Sequence, residues 1–316
     1  MTHRIAISHA SGIASEAILE KLPECGITPD SLVLLDHESN VGKRLPFAGG
    51  YLSIQDQSQY DLSSCALLLM PEADSEMEAV ALNHGCLLLS HAIKSDSPAL
   101  FVTGDGVQPD ISYTQSSLRL AGAEASSLLP VLLQLNRVEA IEQMNITLLR
   151  SAEFQGKAGV DELASQTVSL LNTRPIEPTV YAQQIAFNLL PESADPDIET
   201  DIRHFLGNTS YSAALQTVNV PIFHGLVAAV QLSFAADISL EDCKSCLATL
   251  EMVALTSQPA SPISDCNQSF SCTVNQLEQV SNQPSSVQFW MIADPMRYGL
   301  ANNYVNVTDF LLKSFL

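Results

Sequence analysis

The sequence predicts an α/β protein with an N-terminal, Rossmann-like parallel sheet and a second, α+β domain. The prediction rests on three observations. A short apolar strand, a small-residue turn and a helix open the chain over Ile5–Glu20. Buried apolar strands then alternate with helices, as in a parallel sheet that is covered on both faces. Beyond Leu135 the pattern changes, and alternating apolar and polar residues favour a largely antiparallel sheet.

Composition limits the size and the class of the protein. The chain has 316 residues, of which 46% are hydrophobic and 16% charged, so it is long enough for two soluble globular domains. Its 14 Lys and Arg against 35 Asp and Glu give a net charge of −21. An acidic surface repels phosphate backbones and anionic lipids, so we expect neither nucleic-acid binding nor membrane-surface binding.

The N-terminus and the cysteines predict a cytoplasmic protein. The first residues lead straight into a strand, without a signal-peptide pattern. No apolar run reaches the roughly 18 residues that a membrane helix needs. Seven cysteines without a framework pattern indicate reduced thiols that serve mainly as small apolar residues.

The opening turn carries the first candidate site. Strand, tight turn and helix are the start of a dinucleotide-binding βαβ unit, in which a helix N-terminus faces a pyrophosphate. If Gly12 is the middle glycine of a G-x-x-G-x-x-G turn, His9 and Ser15 occupy the other two glycine places. These side chains strain the turn and push the helix off the strand, so the fold signal is stronger than the cofactor signal. The residues His9, Ser11, Gly12 and Ile13 are candidates for a remnant NAD or NADP site.

Asp36 is a candidate for the same site. It ends the next buried strand, Ser31–Asp36, about two dozen residues after Gly12, where an NAD-binding fold often places its ribose acid. The alternative is a plain loop acid. The broken glycine pattern favours that alternative.

The remaining N-terminal elements continue the alternation. After a turn at Val41–Lys43, we expect the strands Tyr51–Gln55, Cys65–Met70, Cys86–Leu89 and Ala99–Val102 and the helix Ser75–Asn83. The stretch Ala121–Leu135 is rich in Ala and Leu. It predicts a helix up to a kink or break at Pro130, because proline removes a helical hydrogen bond.

The second domain is predicted from period-two and helical patterns. We expect strands at Met144–Leu149, Leu215–Val218, Leu226–Phe234 and Val287–Ala293, and helices at Ala158–Asn172, Ser239–Val253 and Asn303–Phe315. Ser239 is the predicted N-cap of its helix, with Asp242 three residues later. The span Ser257–Asn282 is rich in Ser, Pro, Asn and Gln and predicts a long loop or short edge strands.

Four sequence blocks resemble the aspartate-semialdehyde dehydrogenase family. They are Gln155–Lys157 with Val160–Leu163, Ala186–Pro191, Gln288–Trp290, and Ala293–Gly299. The blocks occur in the family's order, and the likeness covers nearly the full length. The resemblance is greatest to the bacterial Usg-type branch.

The resemblance implies a domain organisation and an activity. A Rossmann-like NAD(P)-binding domain would cover residues 1–122, a dimerisation domain 123–296 would form a homodimer through its sheet, and a C-terminal helix at 297–316 would return to the first domain. The family reduces β-aspartyl phosphate with NADPH in amino-acid biosynthesis, through a thioester on a cysteine. That chemistry needs a thiol of low pKa, a nearby histidine and arginines that hold the substrate.

Residues that the family uses for this chemistry are replaced here. The place of the nucleophilic cysteine is Ala123, and the place of the acid/base histidine is Leu226, with His224 two residues earlier. Asn219 stands where an arginine clamps the substrate. His37 stands where an arginine is proposed to hold the extra phosphate of NADP. We therefore assign no catalytic residue and expect the usual activity to be lost.

Some residues remain as a candidate pocket. His9 and His91 end adjacent strands near the place of the nicotinamide cofactor. Their functional interpretation is a remodelled ligand site, and the alternative, two polar loop residues, is slightly favoured. His224 and Asn302 complete the candidate set, and Asn302 lies in a segment, Asp294–Asn302, that preserves the family's Asp, Arg, Gly and Asn.

The sequence favours a catalytically silent family member that acts as a homodimeric binding or scaffold protein, with a family enzyme as one candidate partner. The first alternative is an NAD(P)-dependent semialdehyde oxidoreductase whose site is rebuilt from His9, His91, His224 or a cysteine. The second is a dinucleotide sensor that depends on Gly12.

Cys243 and Cys246 form a C-x-x-C pair near a helix N-terminus, which is typical of a redox site. No thioredoxin-like strand precedes the pair, and no second pair completes a zinc site. We therefore interpret both cysteines as packing residues and predict no metal site.

Overall fold

The computed structural model describes residues 4–93, 116–207, 210–265 and 268–314. The chain divides into two units. The first comprises Met1–Ala123 and Leu300–Leu316, and the second comprises Glu124–Gly299. The predicted strand Ala99–Val102 lies outside the described residues.

The first unit contains the predicted parallel sheet. Its described strands are β1 (Arg4–Ile7), β2 (Leu32–Asp36), β3 (Arg44–Phe47), β4 (Gly50–Asp56), β5 (Cys65–Leu69), β6 (Leu87–Ser90) and β7 (Ser117–Arg119), and the helices α1 (Ile13–Lys21) and α2 (Ser75–Asn83) connect strands. The strand order is β3-β4-β2-β1-β5-β6-β7. Only the edge pair β3–β4 is antiparallel among the described pairs. The α/β class is confirmed.

This strand order places one crevice between β1 and β5. Strands β2, β3 and β4 all lie on one side of β1 in the sheet. The chain then returns past them and adds β5 on the other side of β1. Ligands of doubly wound sheets bind beyond the carboxyl ends of the strands at such a reversal. The loops after β1 and β5, which contain Gly12 and Glu72, therefore lie at the position where a cofactor is expected.

The second unit is built on a mixed sheet. Its described elements are α3 (Ala123–Val138, whose first residue belongs to the first unit), β8 (Ile141–Arg150), α4 (Gly156–Leu171), β9 (Leu190–Glu192), α5 (Pro196–Leu206), β10 (Ser212–Asn219), β11 (Leu226–Phe234), α6 (Leu240–Leu247), β12 (Val253–Thr256), α7 (Pro262–Asp265), β13 (Cys272–Gln279) and β14 (Ser286–Ala293). The strand order is β12-β13-β14-β11-β8-β10-β9. The sheet is largely antiparallel, but β10 runs parallel to β8 over eight residues, and β12 runs parallel to β13.

The first unit also includes the last helix, α8 (Asn302–Ser314). A π-helical stretch, Pro295–Ala301, precedes α8. Tyr304 of α8 is fully buried, and its hydroxyl donates to the Met70 carbonyl at the end of β5 over 3.1 Å. The C-terminal segment is therefore part of the core of the first unit.

The predicted break at Pro130 is wrong. Helix α3 continues through Pro130 to Val138. Leu128, Leu129, Val131 and Leu132 around the proline are all at most 1% exposed. Burial of these side chains on both sides of Pro130 outweighs the cost of one missing hydrogen bond.

Two predictions near the C-terminal end of the second unit are also wrong. The helix that begins after Ser239 ends at Leu247, not at Val253, and Val253 opens strand β12. The span Ser257–Asn282 contains β13, which is an interior strand between β12 and β14 and not an edge strand. Its polar residues Thr273 and Asn275 are buried, and the Asn275 amide donates to the carbonyls of Thr256 and Gln258.

The described helices include none that is both long and apolar enough to cross a membrane.

Candidate functional site

The turn between β1 and α1 uses its own amide groups internally. The Ala10 amide donates to the Leu35 carbonyl over 3.0 Å, and the Gly12 amide donates to the His9 carbonyl over 2.8 Å. The Ser11 amide donates to Asp36 Oδ2 over 2.8 Å. In a dinucleotide-binding turn such amides face a phosphate. Here the first three amides after His9 are already satisfied by the protein.

Asp36 is a buried acceptor that organises this turn. It is 2% exposed and also accepts hydrogen bonds from the His37 amide at 2.7 Å and the Asn40 side chain at 3.0 Å. Burial alone would raise the pKa of Asp36, but the hydrogen bonds from Ser11, Asn40 and His37 outweigh it and lower the pKa. The ionised carboxylate of Asp36 therefore stabilises the turn through hydrogen bonds. Such a structural role is the alternative to binding the ribose of a cofactor.

Gly12 has a carboxylate where a pyrophosphate would approach. A Cβ added to Gly12 would overlap with Glu72 Oε1, so the Glu72 carboxylate lies directly against this glycine. The middle glycine of such turns leaves room for the pyrophosphate of the cofactor. In this protein the Glu72 carboxylate occupies the space beside Gly12. The residues of the turn therefore do not fit a dinucleotide in this arrangement.

His9 takes the place of a glycine at a strained position. Its φ of 49° is left-handed, a conformation that costs non-glycine residues energy. The ring is buried, with Nε2 3.6 Å from Asp74 Oδ2 and an edge contact to His37 at 5.1 Å between centroids. His9 Nδ1 is buried and has no hydrogen-bond partner among the described residues. Ser15, at the third glycine place, is buried and donates its hydroxyl to the Ser8 carbonyl over 3.2 Å. Ile13 is the first residue of α1.

His91 is tied to Tyr304. The Tyr304 hydroxyl accepts from the His91 amide at 3.1 Å and lies 3.2 Å from His91 Nδ1. Burial lowers the pKa of His91 to about 4, so the ring is neutral at neutral pH. A neutral, hydrogen-bonded histidine is typical of a packed polar residue. Asn302, the first residue of α8, is also buried.

Arg150 lies beside two positions that are predicted to correspond to reactive residues of the family. It ends β8, with Asn219 of β10 and Leu226 of β11 as its neighbours in register. Glu124, which follows Ala123 directly in sequence, forms an ion pair with Arg150. Leu226 is fully buried, and Ala123 is 6% exposed. The predicted places of the clamp and of the acid/base therefore flank one arginine, which sequence reasoning did not identify.

The charge of Arg150 is balanced by acids. Burial raises the pKa of Glu124, and the Arg150 guanidinium opposes that shift. Glu192 Oε2 lies 3.9 Å from Arg150 Nη1 and accepts from the Asn219 amide at 3.0 Å. Arg150 Nε and Asn219 Oδ1 are buried without a hydrogen-bond partner among the described residues.

His224 forms a second polar group with Glu153. It lies in the bend before β11, and its Nδ1 is 3.1 Å from Glu153 Oε2. Glu153 is 2% exposed and its Oε1 also accepts from the Gly225 amide and from the Ser151 hydroxyl. The hydrogen bond that the protonated His224 ring donates to Glu153 raises the pKa of His224 against the opposing effect of partial burial. A buried carboxylate that orients a half-exposed imidazole is suited to proton transfer.

Asp294 and Arg297 lie near this histidine. Asp294 is 2% exposed and accepts from the Met296 and Arg297 amides, and its Oδ2 lies 3.3 Å from Arg297 Nη1. Burial, followed by the nearby charge of Glu153, raises the pKa of Asp294. The preserved Asp and Arg of this segment thus pair with each other.

The described thiols are not activated. Burial is the largest cause of a raised thiol pKa at Cys25, Cys65, Cys86, Cys243, Cys246 and Cys272. The pKa rises to about 12 at Cys25, Cys86 and Cys272 and to about 11 at Cys243. Cys243 is fully buried, and the Cys246 thiol donates to the Gln134 carbonyl at 2.9 Å. These facts support packing for the C-x-x-C pair. Cys266 lies outside the described residues.

A cluster of three or more His, Cys, Asp or Glu side chains suited to a metal ion is absent from the described ranges. No metal site was predicted.

A family model described as "Semialdehyde dehydrogenase, dimerisation domain" matches residues 135–298, which is more than half of the chain. The chain belongs to the semialdehyde dehydrogenase family. The predicted family resemblance is thereby confirmed, and the matched residues lie within the second unit. The description of the model supports the expected homodimer.

Named relatives span the whole chain. Aspartate-semialdehyde dehydrogenase 2 of Vibrio cholerae is 26% identical over 330 aligned positions, covering 98% of each chain. The USG-1 protein homolog of Pseudomonas aeruginosa is 28% identical, covering 99% of this chain and 98% of its own. The crystal structure of aspartate semialdehyde dehydrogenase II from Vibrio cholerae superposes with a TM-score of 0.87 at 25% identity, covering 100% of both chains.

Sequence reasoning missed four residues of this family member: Glu72, Glu124, Arg150 and Glu153. Arg150 ends a half-buried strand, where a charged residue is a signal that could have been noticed. Glu153 lies two residues before the Gln155–Lys157 block. Glu72 and Glu124 become visible only through contacts with residues distant in sequence or in neighbouring elements.

Proposed function

We propose that this chain is a non-catalytic member of the semialdehyde dehydrogenase family that acts as a homodimeric binding or scaffold protein. The observation that carries the proposal is the cluster around Arg150. Asn219 and Leu226, at the predicted places of the substrate clamp and the acid/base, flank Arg150, which is paired with Glu124. The predicted place of the nucleophile is Ala123. Neither Ala nor Leu can attack a carbonyl or move a proton.

The state of the thiols supports the same proposal. Thioester chemistry needs a thiolate at neutral pH, which requires a pKa below about 8.5. Burial instead raises the pKa of each described cysteine. A replacement nucleophile is therefore not available among the described cysteines.

A binding role is favoured by one feature of the second unit. The exposed face of the sheet carries Trp290, which is 40% exposed, beside a concavity of about 330 Å³ on β8, β11, β13 and β14. An exposed tryptophan in a concave surface is a typical anchor of a protein interface. We assign the homodimer to this face.

The experiment is an activity assay on the purified protein. We incubate it with aspartate semialdehyde and phosphate, with NADP or NAD, and follow formation of reduced nucleotide. We expect no turnover, whereas aspartate-semialdehyde dehydrogenase 2 of Vibrio cholerae serves as the positive control in the same buffer. Turnover that disappears after thiol alkylation would contradict the proposal.

The alternative function is an NAD(P)-dependent oxidoreductase with a relocated acid/base. One observation favours it, which is the Glu153–His224 pair, because its half-exposed imidazole is oriented by a buried carboxylate. In that case the assay shows turnover, and His224→Gln lowers kcat while Glu153→Gln shifts its pH profile. The two functions therefore differ in the first measurement.

A further inference from the structure

The amides at the start of α1 remain open to an anion. The first-turn amides of a helix have no acceptor within the helix, and Gly12, the N-cap, has no side chain that could accept from them. Such a terminus carries partial positive charge and attracts a negative group. The anion that lies beside it is the carboxylate of Glu72, whose Oε1 would overlap with a Cβ on Gly12.

Glu72 is held at this position by little else. It lies in the bend between β5 and α2 and is exposed. Its carboxylate forms no hydrogen bond or ion pair with another residue in the described ranges. Asp36, in contrast, accepts from Ser11, His37 and Asn40 and is part of the turn itself. Glu72 is therefore the acid that can be removed without dismantling the turn.

The surroundings strengthen the exclusion of phosphate. Asp36 and Asp74 lie on the two sides of the same turn, the first bonded to Ser11 and the second 3.6 Å from His9. Together with Glu72 they place three carboxylates around the turn. A pyrophosphate would meet these charges at short range, where the repulsion of like charges is strong.

We propose that the chain closes its own dinucleotide site, with the Glu72 carboxylate lying where the pyrophosphate of a nicotinamide dinucleotide would bind at the N-terminus of α1. The inference does not depend on the proposed function, because it concerns binding by the first unit and not catalysis. It also makes a dinucleotide-sensing role of the unmodified protein incompatible with the geometry around Gly12.

Calorimetric titration with NADH and NADPH tests this proposal. The proteins are the unmodified chain, Glu72→Ala, Glu72→Gln and, as the matched control, Glu76→Ala, which removes an exposed acid from the first turn of α2. We expect no saturable binding by the unmodified chain or by Glu76→Ala up to millimolar nucleotide. Glu72→Ala should bind at least about tenfold more tightly, as expected when one like charge beside a phosphate is removed.

Two outcomes would overturn the proposal. One is micromolar binding by the unmodified chain, which would mean that Glu72 does not close the site. The other is equal, weak binding by all four proteins when circular dichroism shows that the Glu72 variants are folded. Because enzymatic turnover is not measured, neither outcome bears on catalysis, which the activity assay decides separately.

Discussion

The ionisation of His224 in the second unit is coupled to its contact with Glu153. Its Nδ1 lies 3.1 Å from a carboxylate that is 1% exposed, while its own side chain is 47% exposed. The hydrogen bond that the protonated ring donates to Glu153 raises the pKa of His224 in the folded state above the ordinary histidine value of about 6.5. Protonated His224 therefore stabilises the folded protein.

The pH dependence of this contribution has a definite sign. Because the folded-state pKa is raised, the stabilisation is fully present below the unfolded-state pKa and is lost as the pH rises through the folded-state pKa. We expect the free energy of unfolding to differ between the unmodified protein and His224→Gln by at most about 1 kcal/mol at low pH, since solvent screens this half-exposed pair. The difference should vanish at alkaline pH.

Urea unfolding across this pH range measures the difference. The control variant is His204→Gln, which replaces an exposed histidine of α5. A difference for His224→Gln that grows as the pH rises would show that the Glu153 contact is not the cause.

Residues also show the limits of prediction from sequence. His9 and Gly12 were predicted in the turn between β1 and α1 because strand, turn and helix are adjacent in the chain. Asp36 was predicted at the end of the next strand, where β2 ends. The contact of Glu72 with Gly12 joins residues sixty positions apart, and only the order of β1 and β5 in the sheet brings them together. Arg150 was missed because its partners Glu124 and Asn219 belong to other elements.

Helix α4 fixes a long loop through two side chains. Glu162 accepts hydrogen bonds from the Thr179 amide at 2.8 Å, the Thr179 hydroxyl at 2.7 Å and the Val180 amide at 2.6 Å. Gln166, one turn later, accepts from the amides of Ile185 and Ala186. The loop between α4 and β9 is therefore held by its backbone amides and not by regular secondary structure.

Removal of the Glu162 carboxylate should loosen this loop. We expect Glu162→Ala to lower the free energy of unfolding by about 3 kcal/mol, because it leaves several donors without their charged acceptor. Amide hydrogen exchange at Thr179–Tyr181 should accelerate more than elsewhere in the second unit. The control is Asp161→Ala, the exposed neighbour on the same helix. Unchanged exchange at these amides would contradict the assigned role.

Elements were predictable where pattern and packing agree. The strands β2 and β5 were predicted from their apolar runs, and the helix α2 was predicted from its helical periodicity. Both patterns are typical of α/β folds. Strand β13 was missed because buried Thr273 and Asn275 resemble loop residues in a sequence, and their hydrogen bonds are formed only in the sheet. Pro130 predicted a break because local propensity cannot register the burial of Leu128 to Leu132.

The whole molecule is expected to be a dimer through the face that carries Trp290. The side chain lies beside Gln231 and Gln288 in the concavity of the second sheet. A charged side chain at the centre of such an interface would be buried in the dimer without a partner of opposite charge, which destabilises the dimer. We expect Trp290→Glu to convert the dimer to a folded monomer in light scattering.

The matched control for this change is Tyr51→Glu. Tyr51 is an aromatic residue of the first unit that is 64% exposed, and its substitution should leave the dimer intact. If Trp290→Glu remains dimeric at the same concentration, the interface lies on another surface. If both variants dissociate, net negative charge and not the Trp290 face controls association.

The position of Tyr304 has a consequence for synthesis of the chain on the ribosome. The strands of the first unit are made first, but Tyr304, which bonds Met70 and His91 in its core, follows the entire second unit. At ordinary elongation rates the N-terminal segment waits roughly 10–35 s for its last helix. During this interval a surface that will contact α8 is uncovered, so the nascent first unit is a natural client for chaperones.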